Sequence, residues 1–246
     1  MKYFTKQWYR DTILAEICFQ MRSSSKAEQF SEKYFASLYE AQKKWFVKNE
    51  KRIAKHTRSQ FDPAAAEAAF EENYNENLAF IKENLPAEIL EKVADVHVLA
   101  MGSAGYDVLH AVTRFCGQVN RRCEAVKDQY DGEVEKLAER MGWYKINALN
   151  MLSNAPIGSI EMREDGCCVI KTTAEYTDIA CKVTLFSAKV ALYDPALIGA
   201  TVLHHELLPS EDGLELNLLC QTPDFKSAEF SVAMEDLDIE EIFGNQ

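Results

Sequence analysis

The sequence predicts an α+β protein: an N-terminal helical bundle with one long helix, followed by a small antiparallel β-meander sheet. Three observations carry this. Apolar residues recur at three- and four-residue steps through the first half, the period changes to two beyond Ala155-Pro156, and hairpin-sized turn signals separate the later apolar runs. Such turns leave no room for the long crossover that a parallel partner needs, so neighbouring strands are expected to be antiparallel. The expected division is an α-helical domain over residues 1–152 and an antiparallel β domain over residues 153–246.

Thr5 caps a first helix that should run to about Met21, with Tyr9, Ile13 and Ile17 on one face. The three serines in residues 22–26 break it. A second helix is expected over residues 26–55 from the spacing of Phe30, Tyr34, Leu38 and Trp45. Asp62-Pro63 is an N-cap followed by a first-turn proline, and it opens a third helix whose Phe70, Tyr74, Leu78 and Ile81 form the buried face. Pro86 opens a fourth, striped by Ile89, Val93, Val96 and Ala100, which Gly102 ends in the left-handed conformation. The clearest period passes through Leu109, Val112, Cys116, Val119, Cys123, Val126, Tyr130, Val134, Leu137 and Met141. One helix from Tyr106 to Met141, roughly 50 Å long, is its simplest reading.

Strands are expected at residues 160–162, 168–172, 181–192, 200–207, 214–221 and 228–234, where β-branched and aromatic residues alternate with polar ones. Turns at Glu164-Asp165-Gly166 and Ser210-Glu211-Asp212-Gly213 make hairpins, and the six-stranded meander ends in an acidic segment, residues 235–241.

With 246 residues, 47% of them apolar, the chain can bury a core without covalent staples. Its seven cysteines (Cys18, Cys116, Cys123, Cys167, Cys168, Cys181 and Cys220) are odd in number and scattered through apolar segments, which points to reduced thiols in the cytoplasm. Lys2, Lys6, Arg10, Asp11 and Glu16 interrupt the opening, and no later apolar run approaches membrane-spanning length, so neither export nor a membrane partner is expected. The net charge of −12 is uneven: residues 1–60 hold 13 Lys/Arg against 6 Asp/Glu, and the remainder 14 against 33.

The strongest motif is a basic stripe. Lys44, Lys48, Lys51, Lys55 and Arg58 stand at steps of four, three, four and three, so one helix face presents five cations over roughly 21 Å. Lys43, Arg52 and His56 flank it, and Trp45 and Phe46 lie at its start. That face suits a phosphate backbone; equally, it is what a solvated helix side, or one turned toward the acidic remainder, looks like. Asp107 and His110 share a helix face and His97 with Glu91 approaches from the preceding helix, with Glu67, Glu71, Glu72 and Glu76 as further oxygen donors. A carboxylate-rich helical metal site draws such acidic-x-x-His pairs from several helices, and only one is present. Alternation sends His204 and Glu206 to one strand face and His205 to the other, and it separates Cys167 from Cys168 likewise. Gly102-Ser103-Ala104-Gly105 reads as a helix-helix turn without nucleophile-elbow spacing, and Ser23 with Lys26 lacks the motifs that accompany a serine-x-x-lysine enzyme.

The opening KYFTKQWY, the segment LPAEILEKVADVHVLAMGSAG and the stretch LIGATVLHHELL followed by LELNLLC resemble a family of bacterial proteins, a domain of unknown function whose members open with a KYFTKxWY-like segment. The resemblance covers most of the chain and implies a bacterial source. It implies no activity, ligand or catalytic residue. No catalytic, cofactor-binding or metal residue is therefore assigned, no cofactor is expected, and whether a reaction is catalysed stays open. The leading expectation is a noncatalytic intracellular protein that binds another protein. Two alternatives remain: nucleic-acid binding through the face from Lys44 to Arg58, or a metal-dependent enzyme with a site near Asp107 and His110.

Overall fold

The structure, a computed structural model, describes residues 1–174, 179–211 and 213–243. It has the expected class: N-terminal helices, one of them long, and then antiparallel sheets. The chain divides into two compact units, Thr12–Arg121 and Met1–Asp11 with Arg122–Gln246. Among the described residues no helix is long and apolar enough to cross a membrane.

The helical unit takes the end of α1 (Lys6–Glu16), a 3-10 turn (Ile17–Gln20), β1 (Arg22–Ser23), α2 (Glu32–Thr57), α3 (Pro63–Asn84), α4 (Ala87–Leu90), α5 (Val96–Ala100), β2 (Ser103–Ala104) and the first part of α6 (Tyr106–Met141). Side-chain caps set several boundaries. Ser31 Oγ accepts the N–H of Tyr34, so α2 starts later than the apolar spacing suggests. Asp62 Oδ1 accepts from Ala64 and Ala65 beside the first-turn Pro63. The single fourth helix expected from Pro86 to Ala100 is in fact two, because Asp95 leaves the helix and caps α5 through the N–H of His97. Gly102 has φ +71, and a Cβ there would stand 2.7 Å from Gln20 O. Glycine is thus required where the short parallel pair β1–β2 begins.

Among its described residues the other unit contains α7 (Trp143–Ala148) and eight strands: β3 (Ile157–Met162), β4 (Cys168–Thr172), β5 (Ile179–Phe186), β6 (Lys189–Tyr193), β7 (Thr201–Ser210), β8 (Gly213–Gln221), β9 (Ser227–Met234) and β10 (Asp236–Phe243). They form two four-stranded sheets, ordered β10-β5-β4-β3 and β6-β9-β8-β7, with every pairing antiparallel. Two details differ from the six-strand reading. The run 181–192 breaks at Ser187, whose φ is +54 and whose hydroxyl donates to Glu235, so β5 and β6 join different sheets. The acidic segment is itself a strand, β10, in register with β5 from Asp236↔Phe186 to Phe243↔Ile179. Both sheets feed one core, in which Ile170, Val183 and Leu237 from one meet Leu216, Leu218, Phe230 and Val232 from the other. The Glu164-Asp165-Gly166 turn forms as expected, with Asp165 accepting the N–H of Cys167. Asp212, in the second expected turn, lies outside the described residues.

Candidate functional site

One concave feature of the helical unit is a cleft that runs between α2 and α3 and continues between α2 and the β1–β2 pair, with the 3-10 turn and the end of α5 at its base. It has two adjoining lobes that share Gln20, Gln42, Phe46, Phe70 and Met101. One, of about 480 Å³, is walled by Ile13, Ile17, Tyr74 and Phe80; the other, of about 640 Å³, by Tyr34, Leu38, Ala41 and Trp45. Aromatic contacts stiffen the walls: Tyr39 meets Phe70 edge-on at 5.1 Å and Tyr74 at 5.3 Å, and Phe46 lies 5.8 Å from Phe70.

The polar groups of the cleft include four amides, Gln20, Gln42, Asn73 and Asn77, beside the hydroxyls of Ser23, Ser24, Tyr34, Tyr74 and Ser103. The last carbonyls of α5 lack intrahelical donors, and two side chains supply them: Gln42 Nε2 donates to Met101 O and Asn77 Nδ2 to Ala100 O, each at 2.6 Å. Gln20 and Asn73 also line the cleft, exposed and without a hydrogen-bond partner among the described residues. Tyr34 Oη bridges Ser24 Oγ (3.1 Å) and Ser103 Oγ (2.9 Å) at the far wall. Tyr74 Oη lies 2.5 Å from His97 Nδ1, and burial raises the pKa of both Tyr74 and Tyr39, so these phenols stay protonated at neutral pH.

Along the outer face of α2, Lys44, Lys48, Lys51 and Lys55 are exposed, while Arg58, expected to continue that face, is the exposed left-handed C-cap beyond the end of the helix; none of the five pairs with a carboxylate among the described residues. Lys43 behaves differently: it lies 2.8 Å from Glu67 and 3.6 Å from Glu71, and the hydrogen bond to Glu67 raises its pKa. Trp45 is 67% exposed, and with Lys48, Asn49 and Arg52 it walls a notch of about 330 Å³. Phe46, by contrast, turns inward onto Phe70.

The remaining candidates are not gathered. Asp107, His110 and Glu91 are exposed, as are Glu67, Glu71, Glu72 and Glu76, and among the described residues no three His, Cys, Asp or Glu side chains group so as to hold a metal ion. Gly102–Gly105 is more than a helix-helix turn, since Ser103 and Ala104 form β2 and lead into α6; the Ser103 hydroxyl is buried on Tyr34. Ser23 lies in β1, while the Lys26 ammonium sits 5.9 Å from the Tyr34 ring. In the sheet unit Glu206 is fully buried and its carboxylate accepts the N–H groups of Lys2, Tyr3 and Phe4. His204 packs against Phe4, Trp8 and Tyr9, and desolvation lowers the pKa of His205 to about 4. Cys168 is buried in the core, its pKa raised by burial to about 11, while Cys167 reaches the surface. Sequence spacing marked the basic stripe but not Gln42, Asn73 or Asn77, whose role depends on which helix end they face. Set against protein-family models, curated proteins and solved structures, the chain matches none.

Proposed function

We propose that this is a noncatalytic protein-interaction protein that receives an extended, uncharged, apolar segment of a partner polypeptide in the cleft between α2 and α3. The observation that carries this is the lining: apolar and aromatic walls with Gln20 and Asn73 free at the rim. A primary amide both donates and accepts, as a peptide backbone does, so amide hooks match an extended chain, while the walls take its apolar side chains. A charged ligand would find few counter-charges within the lobes, where among the described residues Glu76 and Arg22 are the ionised side chains of the lining.

The test is selection of a random dodecapeptide display library on the purified full chain, with counter-selection on Ala41→Glu. Ala41 is exposed and lines the larger lobe, so a glutamate there obstructs the cleft without entering the core. Enriched peptides rich in Leu, Ile, Phe or Met that ignore the variant support the reading. Absence of enrichment, or equal capture by the variant, refutes it.

A further inference from the structure

The outer face of α2 carries a second recognition surface, which borders the cleft at Trp45 and is otherwise built from residues outside it. Its four lysines rise roughly 4.5–6 Å per step and Arg58 follows at the C-cap, all exposed and without carboxylate partners among the described residues, although Lys43 shows that α3 supplies glutamates to the neighbouring position. Internal neutralisation therefore does not account for the stripe. The charge of the chain is no obstacle either: the helical unit holds 14 Lys/Arg against 15 Asp/Glu, while the sheet unit holds 13 against 24. Amid the cations Trp45 leaves 67% of its surface in solvent, its ring walling the notch with Lys48 and Arg52.

We infer that this face binds single-stranded nucleic acid, with phosphates along Lys44, Lys48, Lys51, Lys55 and Arg58 and an unpaired base stacked on Trp45. A row of cations alone would suit any polyanion. The exposed indole adds a planar apolar face, for which a run of Asp and Glu side chains has no matching group, and a duplex keeps its bases inside its own stack. The combination of tracking cations and an aromatic platform is what a single strand uses.

The experiment is fluorescence anisotropy of a labelled twelve-nucleotide oligo-dT, and of its duplex with oligo-dA, titrated with the full chain at 50 and 200 mM salt. Five phosphate contacts to a single strand should weaken binding about a hundredfold over that range. Trp45→Ala should weaken it about tenfold, while Trp45→Phe, which keeps a stacking face, stays near wild type. Changing Lys44, Lys48, Lys51 and Lys55 to Glu should abolish binding with an unchanged thermal melt. If that variant unfolds, the pair Lys48→Gln and Lys51→Gln reads the same effect as a shallower salt dependence. No binding at 50 mM salt, binding retained by a folded lysine variant, or equal binding of duplex, poly-glutamate and Trp45→Ala would each overturn the proposal.

Discussion

Glu206 and Tyr3 are 203 positions apart in the chain, yet the Glu206 carboxylate, in the middle of β7, accepts the Tyr3 backbone N–H at 2.6 Å. The same carboxylate takes the N–H groups of Lys2 and Phe4, and Tyr3 and Phe4 pack on Tyr130 and Leu208. A buried carboxylate is tolerated because backbone donors replace its water. Glu206→Ala leaves those donors unpaired beside a cavity, and urea unfolding should show a loss of about 3 kcal/mol or more. Phe4→Ala alone destabilises as well, and the double variant should lose less than the sum, because the carboxylate and the Phe4 ring both anchor the same Lys2–Phe4 segment. Additive losses would mean the two are independent.

Gly102 and Gly142 both have positive φ, +71 and +84, but only Gly102 is crowded. Gly102→Ala combines backbone strain with a clash against Gln20 O, so it should cost about 2 kcal/mol or more, whereas Gly142→Ala, with open space around its Cβ, carries the backbone strain alone and should cost less. Equal midpoints in urea would contradict this.

His205 is held neutral in the folded protein because burial, aided by His204, lowers its pKa to about 4, against an ordinary value of 6.5. Between those values the unfolded chain binds the proton and the folded chain does not. Its contribution to stability is therefore complete above pH 6.5, is lost as pH falls toward 4, and changes by up to about 1.4 kcal/mol per pH unit in that window. His205→Gln should flatten that part of the profile relative to wild type in urea titrations at pH 7.5, 5.5 and 4.5. An unchanged slope would place the titration elsewhere.

Cys116, Cys123, Cys168, Cys181 and Cys220 are buried, and only Cys18 and Cys167 reach the surface in part. Burial pushes the Cys116 and Cys220 thiols up to about 12, which suppresses the reactive thiolate further. An aromatic disulfide reagent should label at most two thiols in the native protein at pH 8 and all seven after denaturation. Three or more fast native reactions would contradict the burial pattern.

Legibility in the sequence followed locality. The helix α6 was readable to its ends because its apolar stripe recurs across ten turns without a proline or a competing cap. β10 was hidden because its surface residues are acidic: Asp236, Asp238 and Glu240 alternate with Leu237 and Ile239, and the charge obscured a period of two. Asp95 was passed over as a breaker inside an otherwise continuous stripe, although it is a favoured cap residue. The basic face was legible as spacing, whereas the exposure of Trp45 and the lack of ion pairs were not. Gln42 and Asn77 belong to the cleft only because α2 and α3 bring them to the same helix end, a nonlocal arrangement that no spacing rule reports.

The cleft is tested most directly by calorimetric titration of an enriched apolar dodecapeptide into the wild-type chain, into Ala41→Glu, and into Ala94→Glu, an exposed position outside the lobes. Binding to wild type and Ala94→Glu with equal affinity, weakened about tenfold or more in Ala41→Glu, is the expected result. Equal affinity for all three chains would place the peptide elsewhere and contradict the assignment of the cleft.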